Sequence, residues 1–127
     1  MRRMIVPKTC AATATLILAF SGLAGCSQED WRKQVISDAE AKMRIEISDP
    51  TAKFFGVQVT GDDSTGQTCG FVTAKLLNGG ERTVRFIVYI DNTAGPYVED
   101  NIGVHPVSDD RFVFAWQNDC VKEGYKA

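Results

Sequence analysis

Apolar residues recur at every fourth position from Trp31. Val35, Ala39, Met43 and Ile47 follow, with Ile36 beside them, and Arg32, Lys33, Asp38, Glu40, Lys42, Arg44 and Glu46 stand between. That period is the stripe of an amphipathic helix, apolar on one side and charged on the other. Ser27 offers a capping hydroxyl, with Glu29 and Asp30 as acids in the first turn. Asp49-Pro50 ends the helix, because the residue before a proline is driven out of helical geometry. The spacing predicts one helix of about 17 residues. Its stripe either covers the chain's own sheet or docks on a partner helix or a membrane, and the sheet is the simpler assignment.

From residue 52 the period falls to two. Residues 52–60 carry Phe55, Val57 and Val59 on one side, and a turn-rich stretch from Gly61 to Gly66 follows. Residues 67–77 alternate Cys69, Phe71 and Thr73 against Val72 and Ala74. Asn78-Gly79-Gly80 marks a tight hairpin. Residues 82–90 set Val84, Phe86, Val88 and Ile90 against Thr83, Arg85, Ile87 and Tyr89, the clearest strand in the chain. Residues 91–110 read as turns, including Ser108-Asp109-Asp110. Residues 111–117 read as a fourth strand that points Phe112, Phe114 and Trp116 one way, with a short polar tail after it. No helical pattern is evident after residue 50, so crossover helices for a parallel sheet are not expected. The fold class expected is α+β: an N-terminal amphipathic helix packed on one face of a four-stranded antiparallel sheet.

The first residues have another character. Arg2, Arg3 and Lys8 precede an apolar run from Thr9 to Phe20, and Ser21-Gly22-Leu23-Ala24-Gly25-Cys26 comes next. A charged start, a short apolar middle and small residues at the end form the layout of a secretory signal. At about a dozen residues the run is too short to cross a bilayer. Leu23-Ala24-Gly25-Cys26 resembles the lipobox of bacterial lipoproteins. The resemblance implies removal of residues 1–25 and acylation of Cys26, leaving residues 26–127 as a single lipid-anchored domain. Membrane lipid is then a partner through the acyl chains on Cys26, since two or more chains give stable anchoring. Ser27, where an aspartate would favour inner-membrane retention in enteric bacteria, points to the outer membrane, facing the periplasm.

This division changes the charge and the cysteine count. The chain of 127 residues has a net charge of −2, which splits into +3 over residues 1–25 and −5 over the rest, with 11 bases against 16 acids. An acidic domain gives no reason to expect a nucleic-acid partner. On the lipoprotein reading Cys10 is discarded and Cys26 acylated, which leaves Cys69 and Cys120. In an exported domain such a pair is expected to form a disulfide.

A second resemblance lies inside the domain. Asp49-Pro50-Thr51-Ala52-Lys53-Phe54, Cys69-Gly70-Phe71-Val72-Thr73-Ala74-Lys75, Gly79-Gly80 and Arg85-Phe86-Ile87-Val88 are similar to a group of small proteobacterial and prophage-encoded lipoproteins. Thr73 stands where that group commonly has an asparagine, and Glu81 where an aromatic follows the glycine pair. The resemblance implies a fold and a location without an activity. In physical terms, Gly70 lets another backbone or the Trp116 ring approach closely. Lys75 and Arg85 read as residues on the solvent faces of neighbouring strands, or alternatively Lys75, Arg82 and Arg85 read as an anion patch.

Candidate chemistry is sparse. His105, the one histidine, sits before Pro106 with no nucleophile motif nearby. A zinc site needs several Cys or His ligands, and no metal or cofactor is expected. Asp62-Asp63-Ser64, Glu99-Asp100-Asn101 and Asp109-Asp110 lack the spacing of a calcium loop. No pair of acids in distinct environments and no phosphate-binding glycine loop is recognisable, so no catalytic residue is assigned. The expectation is a non-enzymatic envelope lipoprotein that binds another envelope protein. The alternative is a small-ligand-binding or enzyme-inhibitor lipoprotein of the periplasm, like the lysozyme inhibitors.

Overall fold

Helix α1 spans Gln28–Glu46 and is followed by strands β1 (Lys53–Thr60), β2 (Gln67–Lys75), β3 (Glu81–Tyr89) and β4 (Tyr97–Val98). A 3-10 turn (Glu99–Asn101), helix α2 (Asp109–Ala115) and a π-helical turn (Trp116–Val121) complete the chain. The computed structural model describes residues 28–76 and 78–127. The expected signal segment, Cys10, Cys26, the Ser27 cap and Leu77 at the end of the second expected strand lie outside the described residues. Two units divide the chain, Met1–Gln34 and Val35–Ala127. In the first, the Arg32 guanidinium lies 4.9 Å from the Trp31 ring centroid. The packing that follows belongs to the second.

The strands form one antiparallel sheet in the order β1-β2-β3-β4. β2 and β3 pair over their whole length, from Gln67 opposite Tyr89 to Lys75 opposite Glu81, with the Gly79-Gly80 turn between them. Successive side chains point to opposite faces of a strand, and here both faces are apolar. On one face Val72, Ala74, Val84, Phe86, Val88 and Val98 form a core with Ala39, Met43 and Ile47. On the other, Cys69 and Ile87 pack with Phe112, Ala115, Trp116, Cys120 and Tyr125. A β-bulge between Phe55 and Gln58 bends β1. Gly70 accommodates it, since a Cβ there would lie 3.0 Å from Val57 Cα. The neighbour Gly70 admits is thus the β1 backbone.

The expected fourth strand at residues 111–117 is helical, and β4 is instead the two-residue strand Tyr97–Val98. Ser108-Asp109-Asp110, read as a turn, is a helix start: Ser108 Oγ accepts a hydrogen bond from Arg111 N, and the two acids occupy the first turn. Phe112, Ala115 and Trp116 are spaced for a helix face, and all three are buried. The alternation of Phe112, Phe114 and Trp116 was a coincidence of composition, for Phe114 is 65% exposed. The expected solvent-facing side of the sheet is accordingly covered by the C-terminal helical segment.

Asp49 joins the end of α1 to the sheet. Its Oδ1 accepts from Thr51 N and Oγ1, and its Oδ2 accepts from Lys75 N at 3.0 Å. These bonds, the one from the Thr51 hydroxyl foremost, hold the Asp49 carboxyl below its ordinary pKa.

Candidate interaction surface

The C-terminal segment is fastened to the sheet from several directions. The Cys69–Cys120 disulfide links β2 to the π-helical turn across 51 residues, with Cα atoms 6.1 Å apart. A π turn places one extra residue in the helical circuit. Next to Cys120, Asp119 is held by three strands. Its carbonyl accepts from Thr60 Oγ1 at 2.9 Å and from Gln67 Nε2 at 2.5 Å, and its Oδ2 accepts from the Tyr89 hydroxyl. Burial first, then the Asp119 carboxylate, raises the Tyr89 hydroxyl above its ordinary pKa. Farther along the chain, Tyr125 donates its hydroxyl to Gly56 O, and the Lys126 backbone exchanges two hydrogen bonds with Gln58.

Trp116 is the inner anchor of this segment. Its ring meets Phe71 and Tyr125 edge-on and stacks near Phe112, with centroids 4.9–6.2 Å apart. Arg85 lies 5.1 Å from the Trp116 ring centroid and 5.4 Å from that of Phe112. Its guanidinium reaches both oxygens of Glu99, at 2.6 Å and 3.2 Å. The hydrogen bond from Arg85, more than any other influence, holds the Glu99 carboxyl below its ordinary pKa. Arg85 therefore joins a strand, an aromatic cluster and a loop.

The outer side of the same segment is different. Val113, Phe114 and Val121 are 48%, 65% and 40% exposed along one short helical run. Scattered apolar residues are ordinary on a surface. These three stand on a segment fastened by a disulfide and a buried tryptophan, which presents apolar side chains to solvent from a fixed backbone. Asn118 and Lys122 lie on the same segment, with Asn118 donating to Phe114 O and Lys122 to Asn118 Oδ1.

The residues singled out from sequence fall elsewhere. Lys75, Arg82 and Arg85 do not assemble as an anion patch: Arg82 pairs with Asp100 at 3.1 Å and Arg85 with Glu99, while Lys75 stands opposite Glu81. Asp62 closes its own turn, accepting from the Ser64 and Thr65 backbones at 3.0 Å and 2.7 Å. The bond from the Thr65 backbone leads those that bring its carboxyl down to about 2. Among the described residues, no group of three or more His, Cys, Asp or Glu side chains is placed to hold a metal ion. No helix among them is long and apolar enough to cross a membrane.

His105 and Glu46 form a joint that sequence reasoning missed. Glu46, read as part of the helix's polar side, has a side chain only 4% exposed. Its Oε2 accepts from His105 N at 2.6 Å, and its Oε1 lies 2.7 Å from His105 Nδ1. Glu46 O also accepts from Val104 N at 3.1 Å. Gly103 makes room for this carboxyl, since a Cβ there would come within 2.7 Å of Glu46 Oε2. A carboxyl at a helix C-terminus is unfavourably placed against the helix dipole, so donors from the loop offset it. No local signal reveals a pairing across 59 residues, although a glycine two places before the histidine fits it in retrospect. Glu46→Ala is expected to cost about 1–3 kcal/mol, because it strips the buried partner from the loop's donors. A melting curve within error of wild type would show that the joint carries no stability.

Comparison with known proteins gives no match: no family model, no curated protein and no solved structure is significantly similar to the chain.

Proposed function

We propose that the protein is a lipid-anchored lipoprotein of the bacterial cell envelope that acts by binding another envelope protein and not by catalysis. The observation that carries the binding role is the exposure of Val113, Phe114 and Val121 on the segment that the disulfide fastens to the sheet.

Support for the anchor comes from Leu23-Ala24-Gly25-Cys26 and its resemblance to a lipobox. The disulfide fits an oxidising compartment. With a charge of −5 over residues 26–127, the domain has no electrostatic attraction to anionic lipid, so acyl chains on Cys26 supply the attachment. In this reading α1 is the N-terminal helix that covers one face of the sheet. Only Ser27 separates Cys26 from Gln28, which keeps the domain close to the outer membrane on its periplasmic side.

Two measurements test the parts separately. Cys26→Ala is expected to abolish labelling by radioactive palmitate and to release the chain from the membrane fraction or leave it unprocessed. Unchanged fractionation and labelling would refute the anchor. For the partner, the chain is cross-linked in intact cells and recovered from detergent-solubilised envelopes. A specific envelope protein should accompany the wild type and be lost with Phe114→Asp, while the variant keeps its melting temperature. Recovery of no specific protein, or of the same one with Phe114→Asp, would remove the proposed interface.

A further inference from the structure

Asn78, Gly79 and Gly80 lie at the tip of the β2–β3 hairpin, beyond its last pair, Lys75 opposite Glu81. Asn78 is exposed, and its side chain turns back on the chain: Gly80 N donates to Asn78 Oδ1 at 2.9 Å. A side-chain carbonyl held by the amide two residues on closes an Asx turn. Asn78 Cγ and the Gly79 nitrogen are thereby members of one small hydrogen-bonded ring. The space beside Gly79 is open, since a Cβ there would meet nothing within 4 Å.

We propose that Asn78 is a self-modification site, at which the Gly79 amide nitrogen displaces the Asn78 side-chain amide and leaves an aspartyl or isoaspartyl residue. In the first step the Gly79 nitrogen gives up its proton to solvent and bonds to Asn78 Cγ. The Cγ–Nδ2 bond then breaks, and Nδ2 leaves as ammonia with a proton from water. The product is a cyclic imide, formed without oxidation or reduction. Water opens it: addition at Cγ yields aspartate, and addition at the Asn78 main-chain carbonyl carbon yields isoaspartate. Negative charge develops on Oδ1 in the first step, and the Gly80 N–H already points at that oxygen, an arrangement that lowers such barriers. The Gly79 N–H bond to Leu76 O, at 2.9 Å, is given up as the nitrogen attacks. Either product adds a negative charge beside Glu81, and isoaspartate also inserts an extra carbon into the main chain of the turn. The other three asparagines are less favourably placed. Asn92 and Asn101 precede Thr93 and Ile102, whose branched side chains crowd the attacking nitrogen, and Asn118 is held within the π-helical turn by Phe114 O and Lys122 Nζ.

The test is peptide mapping of the folded full chain after prolonged incubation at mildly alkaline pH. Tryptic cleavage after Lys75 and Arg82 isolates residues 76–82, in which Asn78 is the one asparagine. Mass spectrometry should show that peptide converting from amide to acid, in both aspartyl and isoaspartyl forms, long before the peptides that hold Asn92, Asn101 and Asn118. Gly79→Ala, which places a Cβ beside the attacking nitrogen, should slow the conversion many-fold. Gly80→Pro removes the donor to Oδ1 and should slow it several-fold in the folded chain. In a synthetic peptide of residues 76–82, which has no strands to hold the turn, the same substitution should change the rate much less. Conversion at Asn78 no faster than at the other asparagines would overturn the proposal. Equal slowing by Gly80→Pro in the chain and in the peptide would overturn the part assigned to the folded turn.

Discussion

A chain carrying Cys69→Ala with Cys120→Ala is expected to melt roughly 15–30 °C below the wild type. The bridge closes a 51-residue loop. On the chain-entropy model a loop of that length is worth about 4 kcal/mol. A domain of about 100 residues loses roughly 4–8 °C per kcal/mol. Alanine is the better replacement, because both sulfurs are fully buried and serine would introduce a hydroxyl at each site. The loss should also be distributed unevenly. The bridge fastens the segment containing Trp116 to β2, whereas the core that includes Met43, Val84 and Phe86 lies on the other face of the sheet. Amide exchange in residues 109–121 should therefore accelerate more than exchange along β3. Calorimetry measures the first effect and hydrogen exchange the second. An unchanged melting temperature would mean that the bridge is absent or contributes nothing.

Such a pairing was legible in the sequence because cysteine arithmetic needs no geometry, only a compartment and an even count. Strands β1 to β3 were legible for a similar reason, since period-two patterning and a Gly-Gly turn are local properties. The C-terminal segment was not, because its residues satisfy two periods together. Phe112, Phe114 and Trp116 alternate, yet Phe112, Ala115 and Trp116 also share a helix face. The arbiter was Ser108-Asp109-Asp110, which serves equally as a turn and as a capped helix start. Assigning that segment to a strand left one face of the sheet to solvent, although Ile87 and Phe71 on that face were already apolar. Those residues required a cover. The Glu46–His105 joint and the three bonds that hold Asp119 were illegible for another reason: each spans 30 or more residues. The exposure of Val113, Phe114 and Val121 is evident only once their neighbours Phe112, Ala115, Trp116 and Cys120 are known to point inward.

A three-variant series separates the two readings of residues 109–121 by stability alone. In a strand with Phe112, Phe114 and Trp116 on one side, truncating any of them removes a similar share of the core. In the helical arrangement, Phe112 and Trp116 are 1% and 5% exposed, while Phe114 is 65% exposed. Phe112→Ala and Trp116→Ala are each expected to cost about 3–5 kcal/mol, the range for emptying a buried aromatic site. Trp116→Ala should fall at the upper end, since it also removes the ring beneath Arg85 and the contacts with Phe71 and Tyr125. Phe114→Ala should change stability by no more than about 0.5 kcal/mol, as surface substitutions do. Denaturant melts followed by far-ultraviolet circular dichroism provide the three values on one scale. Equal losses at all three positions would restore the strand and take Phe114 out of the proposed interface. A near-neutral Phe114→Ala beside two severe variants would leave that ring exposed with no role in the core, which is the condition the proposed interface requires.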